Sequence, residues 1–350
     1  MKARYMGSLT ACAVTLLIGS VAPSVAAASA KRTFGVNTHQ SEVVAERDVK
    51  WMSNVVVRLG TGSWTFKSDG LPPSNFVATN YAVPSNPLDV SAAGASVIAS
   101  ATVLRDQNYD YTLPLTPIYS KKVTTTNQGP IGFLLDGAAL YNPYEANRST
   151  VATSDNFIAT VNGVSASFLD SCDGHPGPGG QYHYHGLPAC LVSYATGGSS
   201  TVTSVSTISD TTTSAVREVN SASKRPVILG FAFDGYGIYD NIAMNGKTVP
   251  VSALDSCNGI FSPVPGYLHG VYHYVLENVE SVRSSIGCYH GVVSSAYTRA
   301  LEGLLNGGNV LVPASTSIKA PETAYTLAAN KDEDKLLLAM LKLSGITHSC

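Results

Sequence analysis

Three histidines near the middle of the chain, His175, His183 and His185, are spaced so that they could bind one metal ion. His183 and His185 belong to a Tyr-His-Tyr-His run, and residues two apart on a β-strand project from the same face. Their Cα atoms would lie about 6–7 Å apart, and neutral imidazole suits zinc, copper, iron or nickel. His175, in the glycine-rich turn before that strand, is the candidate third ligand, and Asp173 or Asp170 could add a carboxylate. The spacing therefore predicts one divalent-metal site, with copper or zinc as the ion, from His175, His183, His185 and Asp173.

The same residues also have a structural interpretation that needs no metal. Tyrosines and histidines that alternate on a strand can stack on their neighbours and hydrogen-bond to the backbone. In either case Tyr182 and Tyr184 are expected on the opposite face of the strand from the histidines, packed into the sheet. Both interpretations stay open at the level of the sequence.

The elements that must position these residues occur twice in the chain. Three blocks recur in the same order: GFLLDGAALYN at 132–142 and GFAFDGYGIYD at 230–240, LDSCDG at 169–174 and LDSCNG at 254–259, YHYH at 182–185 and YHYV at 272–275. Such recurrence predicts a duplicated unit with pseudo-two-fold symmetry, the first copy at about 131–190 and the second at about 229–290.

The two copies differ at the histidines. Val275 stands where the first copy has His185, and Ile260 aligns with His175. The second copy keeps His269, His273 and His290, and His269 would face the same way as His273 if both lie on one strand. The simpler interpretation is one working site in the first copy and a scaffold in the second.

Each copy opens with a hairpin signal. An apolar run ends in Asp136-Gly137 in the first copy and in Asp234-Gly235 in the second, and Asp-Gly is typical of a tight type I′ turn. The two aspartates are predicted as turn residues, with the alternative that they meet across the pseudo-two-fold axis as a carboxylate pair. Each run lacks polar alternation, which indicates strands buried on both faces.

Composition favours a mainly β fold, either sandwich-like or barrel-like. Of the 350 residues 44% are hydrophobic, 13% are charged and 31 are glycine, with a net charge of −2. The low charge gives no attraction to nucleic acid. Nucleophile-elbow, phosphate-loop, dinucleotide-binding and Cys-x-x-Cys motifs are all absent from the sequence. Whether the protein is an enzyme stays undecided.

The first 30 residues are predicted to be a secretory signal peptide, with Lys2 and Arg4 before an apolar core and a small-residue cleavage zone. The expected location is extracellular or in the cell envelope, and no later segment is apolar enough to span a bilayer. In an oxidising compartment Cys172, Cys190, Cys257 and Cys288 would form two disulfides. Pairing within each copy, Cys172 with Cys190 and Cys257 with Cys288, is the simplest of the three possible connectivities. Asn147 begins a glycosylation sequon, which has meaning only in a eukaryotic host.

Three further segments complete the predicted organisation. A duplicated β domain is expected over 31–292, interrupted by a Ser/Thr-rich exposed loop at 197–223. Residues 293–350 are predicted to form a helical extension, with helices at Tyr297–Leu305 and Lys331–Leu343. Either that extension or the unpaired Cys350 could mediate a dimer.

The ordered blocks, together with GCYHG at Gly287–Gly291, resemble the YHYH-domain family over roughly 55–292. The resemblance implies a secreted or envelope protein rich in β-structure, and it brings no established activity. The chain departs from the family pattern at YHYV, which puts in doubt any site that needs ligands from both copies. The sequence therefore leaves two functions open. One is a metal protein with hydrolytic or copper redox chemistry, and the other is a non-enzymatic extracellular module that binds a small molecule, a glycan or another wall component.

Overall fold

The computed structural model describes residues 49–297, except for 87, 89–92, 127, 153–157, 178, 198–200, 210, 211, 221–223, 280, 295 and 296. Between 201 and 220 it describes the backbone alone. The predicted signal peptide, the predicted helix at Lys331–Leu343, most of Tyr297–Leu305, and Cys350 lie outside the described residues. Within them, no helix has both the length and the apolar character needed to cross a membrane.

Strands dominate the described residues. In chain order they are β1 (Val55–Leu59), β2 (Ser63–Ser68), β3 (Asn80–Val83), β4 (Ser96–Ala99), β5 (Tyr109–Pro114), β6 (Thr124–Thr125), β7 (Pro130–Leu134), β8 (Ala139–Tyr141), β9 (Ile158–Val161), β10 (Val164–Ser167), β11 (Gly174–Pro176), β12 (Tyr182–Tyr184), β13 (Thr201–Ser209), β14 (Thr212–Asn220), β15 (Ile228–Ala232), β16 (Gly237–Tyr239), β17 (Gly259–Val264), β18 (Tyr267–Val275) and β19 (Cys288–Tyr289). Helical segments are short: Ser100–Val103, Ala189–Thr196 and the 3₁₀ turn Val251–Ala253. The mainly β prediction is confirmed.

An eight-stranded sheet forms the centre of the fold, in the order β11-β12-β8-β7-β15-β16-β18-β17. The order of pairings is the same from either edge: antiparallel, parallel, antiparallel, with β7 and β15 joined antiparallel in the middle. We call β7, β8, β11 and β12 the first half of the sheet and β15–β18 the second half. This order agrees with the predicted pseudo-two-fold arrangement. Among the described strands the sheets do not close into a barrel, so the barrel-like alternative is wrong.

The two halves meet where the two Gly-Phe pairs of the repeated blocks face each other. Phe133 lies opposite Phe231 in the register of β7 and β15. A Cβ on Gly132 would lie 2.6 Å from the carbonyl oxygen of Phe231, and one on Gly230 would collide with the carbonyl oxygen of Phe133. Glycine at these positions therefore allows the central strands to approach.

A three-stranded sheet, β1-β2-β5, packs over this central pair. The Phe66 ring stacks on Phe133 with centroids 3.6 Å apart, and Trp64 meets Phe231 edge-on at 4.9 Å. All four side chains are fully buried, and each contributes about 1.5–3 kcal/mol by its removal from water. The aromatic core thus sits at the junction of the two halves and holds both in place.

The Asp-Gly turns differ from the predicted type I′ geometry. Gly137 has a φ of 82° and Gly235 a φ of 90°, but neither aspartate has a positive φ. The Gly137 amide donates to the Leu134 carbonyl at 2.9 Å, which is typical of a four-residue turn followed by a glycine bulge. The longer turn leaves each aspartate free to point into the core.

The Ser/Thr-rich segment 197–223 is not the irregular loop that its composition suggested. It contains β13 and β14, which pair antiparallel. The register begins with Thr201 opposite Asn220 and ends with Ser209 opposite Thr212. Alternating threonine and valine favour an extended backbone because β-branched side chains fit a pleated strand. Among the described strands this hairpin forms a sheet of its own.

Candidate metal centre

Three neighbouring strands of the first half place the three histidines together. β12 pairs antiparallel with β11, with His175 opposite His183, and parallel with β8 on its other side. His185 follows the last residue of β12. His175 therefore lies on a short strand rather than in the turn where the sequence placed it, and the antiparallel register puts it beside His183 on the same face.

The imidazoles form a compact cluster. Ring centroids are 4.4 Å apart for His175 and His183, 4.8 Å for His183 and His185, and 5.4 Å for His175 and His185. One nitrogen from each ring lies within 4.8 Å of the others, so the three histidines could hold a metal ion. All three histidines are buried, with at most 6% of each residue exposed.

Backbone carbonyls set the orientation of two of the rings. Nδ1 of His185 lies 2.7 Å from the carbonyl oxygen of Asn142, and Nδ1 of His183 lies 3.3 Å from that of Gln181. Because a carbonyl oxygen only accepts, both Nδ1 atoms carry the hydrogen. Nε2 of each of these two rings then carries the lone pair, which is the usual arrangement at a metal ligand. Nε2 of His175 lies 3.2 Å from Nε2 of His185 and donates to it when no ion is bound.

Burial keeps the cluster neutral. It lowers the pKa of His185 to about 4 and holds the pKa values of His175 and His183 well below the ordinary histidine value. For His175 and His183 the mutual repulsion of the charged rings adds to this effect. Near neutral pH the site therefore offers three uncharged nitrogen donors, which is the form that binds a metal.

The cluster lies at the inner end of a cavity of about 250 Å³. Partly exposed side chains such as Val83, Ile98 and Tyr144 form the outer wall, whereas the histidines are buried. Tyr141 stacks on His183 with centroids 3.9 Å apart, and Phe168 lies 4.3 Å from His175. A ligand entering the cavity would meet apolar walls first and the imidazoles last.

The tyrosines of the Tyr-His-Tyr-His run face the core, as predicted, and bind the aspartates of the other two blocks. Tyr184 donates to Asp136 at 2.7 Å, and Tyr182 donates to Asp170 at 2.7 Å. Gly174 makes room, since a Cβ there would collide with the Tyr182 hydroxyl. Burial raises the pKa of both carboxyls to about 6, and their hydrogen bonds partly oppose that rise.

The second half repeats this framework. Tyr274 donates to Asp234 at 2.6 Å and Tyr272 to Asp255 at 2.8 Å. Asp136 and Asp234 each accept a hydrogen bond from a tyrosine of their own half. These bonds, rather than a carboxylate pair across the pseudo-two-fold axis, compensate the burial of the two aspartates. The recurring blocks are, in both halves, a scaffold of tyrosine–aspartate hydrogen bonds.

At the position of the histidine cluster the second half is apolar. Val275 and Ile260 pack in one hydrophobic cluster with Val249 and Leu254. His273, the counterpart of His183, keeps its bond from Nδ1 to the Val271 carbonyl at 2.9 Å, but within the described part of the chain it joins no group of metal-binding side chains. The fold therefore does not need a polar cluster at this position.

A second group, Asp255, Cys257 and His290, also brings potential ligand atoms within 4.8 Å. Cys257 is bound to Cys288 in a disulfide, so its sulfur is not a thiolate. Asp255 already accepts from the backbone amides of Cys257 and Gly259 at 2.8 Å each. This group is part of the scaffold.

Both predicted disulfides are present. Cys172 pairs with Cys190 at a Cα separation of 5.3 Å, and Cys257 pairs with Cys288 at 4.7 Å. Pairing within each copy, the simplest of the three connectivities, is confirmed.

The carboxylates proposed as ligands do not belong to the group of ligand atoms that the histidines form. Asp170 is bound by Tyr81 and Tyr182, and the half-buried Asp173 is not a member of the histidine cluster. His269 lies on β18 but is exposed. Asn147 is half-buried, its side chain donating to Thr150 at 2.8 Å, and its glycosylation stays a prediction.

One buried acidic residue of the cavity wall, Glu145, was missed by the sequence reasoning. Continuing the alignment of the first repeated blocks by three residues would have pointed to it, since Glu145 falls where the second copy has Ala243.

The fold and the site define a class: a mainly β, disulfide-bonded protein with a buried three-histidine cluster at the inner end of a cavity. Residues 110–253 match the model of the family described as YHYH protein. The match confirms the resemblance seen in the motifs and supports membership of the chain in the YHYH family. It includes the Tyr182–His185 run and ends just before the second LDSC block. No curated protein and no solved structure matched the chain.

Proposed function

We propose that this protein binds one divalent metal ion, zinc or copper, through His175, His183 and His185, with a coordination position open to the cavity. The observation that carries the proposal is the cluster itself: three buried, neutral imidazoles with ligand nitrogens within 4.8 Å of one another. Structural zinc sites use four protein ligands, whereas three ligands beside an accessible space are typical of sites that bind water or a substrate.

The second half of the sheet supports a functional rather than an architectural role for the histidines. It builds the same strands and the same tyrosine–aspartate bonds, but it has Ile260 and Val275 in place of His175 and His185. Burying imidazoles costs free energy unless they are compensated. A fold that forms without them in one half has no structural need for them in the other.

The chemistry available at such a centre is that of the ion. A bound metal with an open position polarises a ligand or lowers the pKa of a bound water, and copper can also exchange an electron. The protein residues hold the ion at a fixed place, keep bulk water away through Tyr141 and Phe168, and leave the cavity as the route for a small ligand. Metal-dependent hydrolysis and copper redox chemistry are the two activities to screen.

The alternative function is a non-enzymatic extracellular module. The hydrogen bonds of Tyr182 and Tyr184 favour it, because they show that half of the motif is framework. Under this alternative the histidines would complete the same framework and the protein would bind no metal.

We also propose that the protein is secreted. Its two disulfides fit an oxidising compartment, and the N-terminal residues have the composition of a signal peptide.

A calorimetric titration tests the proposed centre. Chelator-stripped protein is titrated with Zn²⁺ and, separately, with Cu²⁺, beside the variant His175→Ile/His185→Val, which copies the second half. His273→Ala is the matched control, since it removes a buried histidine outside the cluster. We expect one equivalent to bind to the wild type and the control and none to the double variant. No binding to the wild type would favour the non-enzymatic module.

A further inference from the structure

Glu145 is a buried carboxyl group without a partner in the wall of the histidine cavity. The residue is 6% exposed, and its Oε1 atom has no hydrogen-bond partner. It is the one acidic residue among the described residues that line the cavity. Burial raises its pKa to about 8. An unpaired buried carboxyl group lowers the free energy of unfolding. We therefore expect Glu145 to serve the function of the protein rather than its stability.

The local backbone does not need this side chain. The Glu145 amide donates to the Thr150 carbonyl at 2.8 Å, and the Ala243 amide donates to the Lys247 carbonyl at 2.8 Å. The carbonyls of Glu145 and Ala243 likewise each accept an amide three residues on, at 2.8 Å. A turn closed by these two bonds is therefore built once with glutamate and once with alanine, and the turn with glutamate is one residue longer.

The neighbours of Ala243 in the second half are the counterparts of the histidines in the first half. Ala243 packs against the cluster that contains Val275 and Ile260, the counterparts of His185 and His175. Where the histidines are replaced by aliphatic side chains, the glutamate is replaced as well. Glu145 thus joins His175 and His185 as a polar residue of the first half whose counterpart in the second half is apolar.

The position of Glu145 differs from that of a direct ligand. The nitrogens of the three histidines lie within 4.8 Å of one another, and no Glu145 oxygen joins that group. The carboxyl and the imidazoles instead line one cavity, together with apolar side chains such as Val83, Ile98 and Phe168. A molecule in the cavity could touch the ion with one atom and the carboxylate with another.

We propose that Glu145 is the group that accepts a proton or a hydrogen bond from the ligand at the open coordination position, and that this ligand is a small, largely apolar molecule with a protic metal-binding group. This inference rests on the proposed metal centre. An ion held by the three histidines would weaken the O–H bond of such a ligand, and the Glu145 carboxylate would take up the proton that the oxygen gives up on binding. A cation at the centre favours the ionised carboxylate that this transfer requires.

Two probes of different chemistry test the role of Glu145. Acetohydroxamic acid gives up a proton when it coordinates a metal, whereas azide is a small anion with no proton to give. Their affinities for the Cu²⁺-loaded protein are measured from its visible absorption, in the wild type, Glu145→Gln and Glu145→Ala. Glu277→Gln is the matched control, a buried glutamate that does not line the cavity.

We expect both Glu145 variants to bind one equivalent of Cu²⁺ with nearly wild-type affinity. Their affinity for acetohydroxamic acid should fall about 10- to 100-fold, as for the loss of a hydrogen bond to a charged group. Their affinity for azide should be unchanged or higher, and Glu277→Gln should behave as the wild type. Because Ala243 occupies the corresponding turn of the second half, Glu145→Ala is expected to fold.

Three results would overturn the inference. Equal affinity for acetohydroxamic acid in wild type and variants would show that Glu145 does not contact the ligand. Loss of Cu²⁺ from Glu145→Gln would make the carboxylate a metal ligand and leave the proposed centre intact. A wild type that binds no metal would overturn the proposed centre and this inference together.

Discussion

The hydroxyl group of Tyr184 donates a hydrogen bond to the fully buried carboxylate of Asp136 at 2.7 Å. This bond joins the Tyr-His-Tyr-His run to the Asp-Gly turn of the first block, 48 residues earlier. Tyr274 and Asp234 form the same pair in the second half. The tyrosines of the motif therefore hold the fold together, and the histidines are left for the proposed metal centre.

Removing the Tyr184 hydroxyl should separate these two roles. In Tyr184→Phe the Asp136 carboxylate loses the tyrosine hydroxyl but keeps the bond from the Ala138 amide, and the free energy of unfolding should fall by about 1–3 kcal/mol. Metal stoichiometry should stay at one equivalent. Urea denaturation and elemental analysis of the same preparation measure both, with Tyr274→Phe as the matched control. Wild-type stability, or loss of the metal, would contradict the assignment of the tyrosine to the framework.

Replacing His175 and His185 by their second-half counterparts should change the stability of the metal-free protein little. Nε2 of His175 and Nε2 of His185 are hydrogen-bond partners when no ion is present. Exchanging both partners of a buried hydrogen bond for apolar groups is nearly neutral or stabilising. We expect the free energy of unfolding of metal-free His175→Ile/His185→Val to lie within about 1 kcal/mol of the wild type. A large loss of stability would mean that the histidines are part of the framework.

The contribution of Glu145 to the stability of the metal-free protein should fall as the pH rises. Its pKa is raised from 4.5 to about 8 in the folded state. Its contribution is therefore fully present below pH 4.5 and is lost as the pH rises towards 8, since the unfolded chain gives up its proton first.

Glu145→Gln lacks this titration. The difference in Tm between the variant and the wild type should grow between pH 5 and pH 9 in the presence of a chelator, and it should shrink when metal is bound. A difference in Tm that does not change with pH would show that Glu145 is not buried as described.

The disulfide of the first half should matter for both stability and the site. Cys172 and Cys190 are 18 residues apart, a loop for which the chain-entropy model gives about 3 kcal/mol. Cys172 lies three residues before His175, so its loss should also weaken metal binding. Cys172→Ala/Cys190→Ala is compared with Cys257→Ala/Cys288→Ala by thermal unfolding and by Zn²⁺ titration. Only the first pair should lower the affinity for Zn²⁺, and an equal effect of both pairs would contradict a local role.

The repeated blocks were enough to predict much of the fold and the centre of the site. Strand periodicity placed His183 and His185 on one face, and the cysteine of each block predicted its disulfide. Sequence could not show that His175 would lie opposite His183, because that register is set by the pairing of β11 with β12. Nor could it show the partners of the aspartates, since the bonds of Tyr184 and Tyr274 span long stretches of chain.

Two errors have local causes. The prediction of a type I′ turn assumed that both residues of Asp-Gly take a positive φ, but only the glycine does. Composition alone made 197–223 a loop, although its threonines and valines suit the strands that form there. Glu145 was missed because its significance comes from the cavity and from Ala243, and neither is visible in a single motif.

Elemental analysis of the protein, purified from an oxidising compartment without a histidine tag, tests the central claim most directly. The His183→Ala/His185→Ala variant is analysed beside it. We predict close to one equivalent of zinc or copper in the wild type and none in the variant. No stoichiometric metal in the wild type, even after reconstitution with Zn²⁺ or Cu²⁺, would contradict the account and make the whole Tyr-His-Tyr-His strand part of the framework.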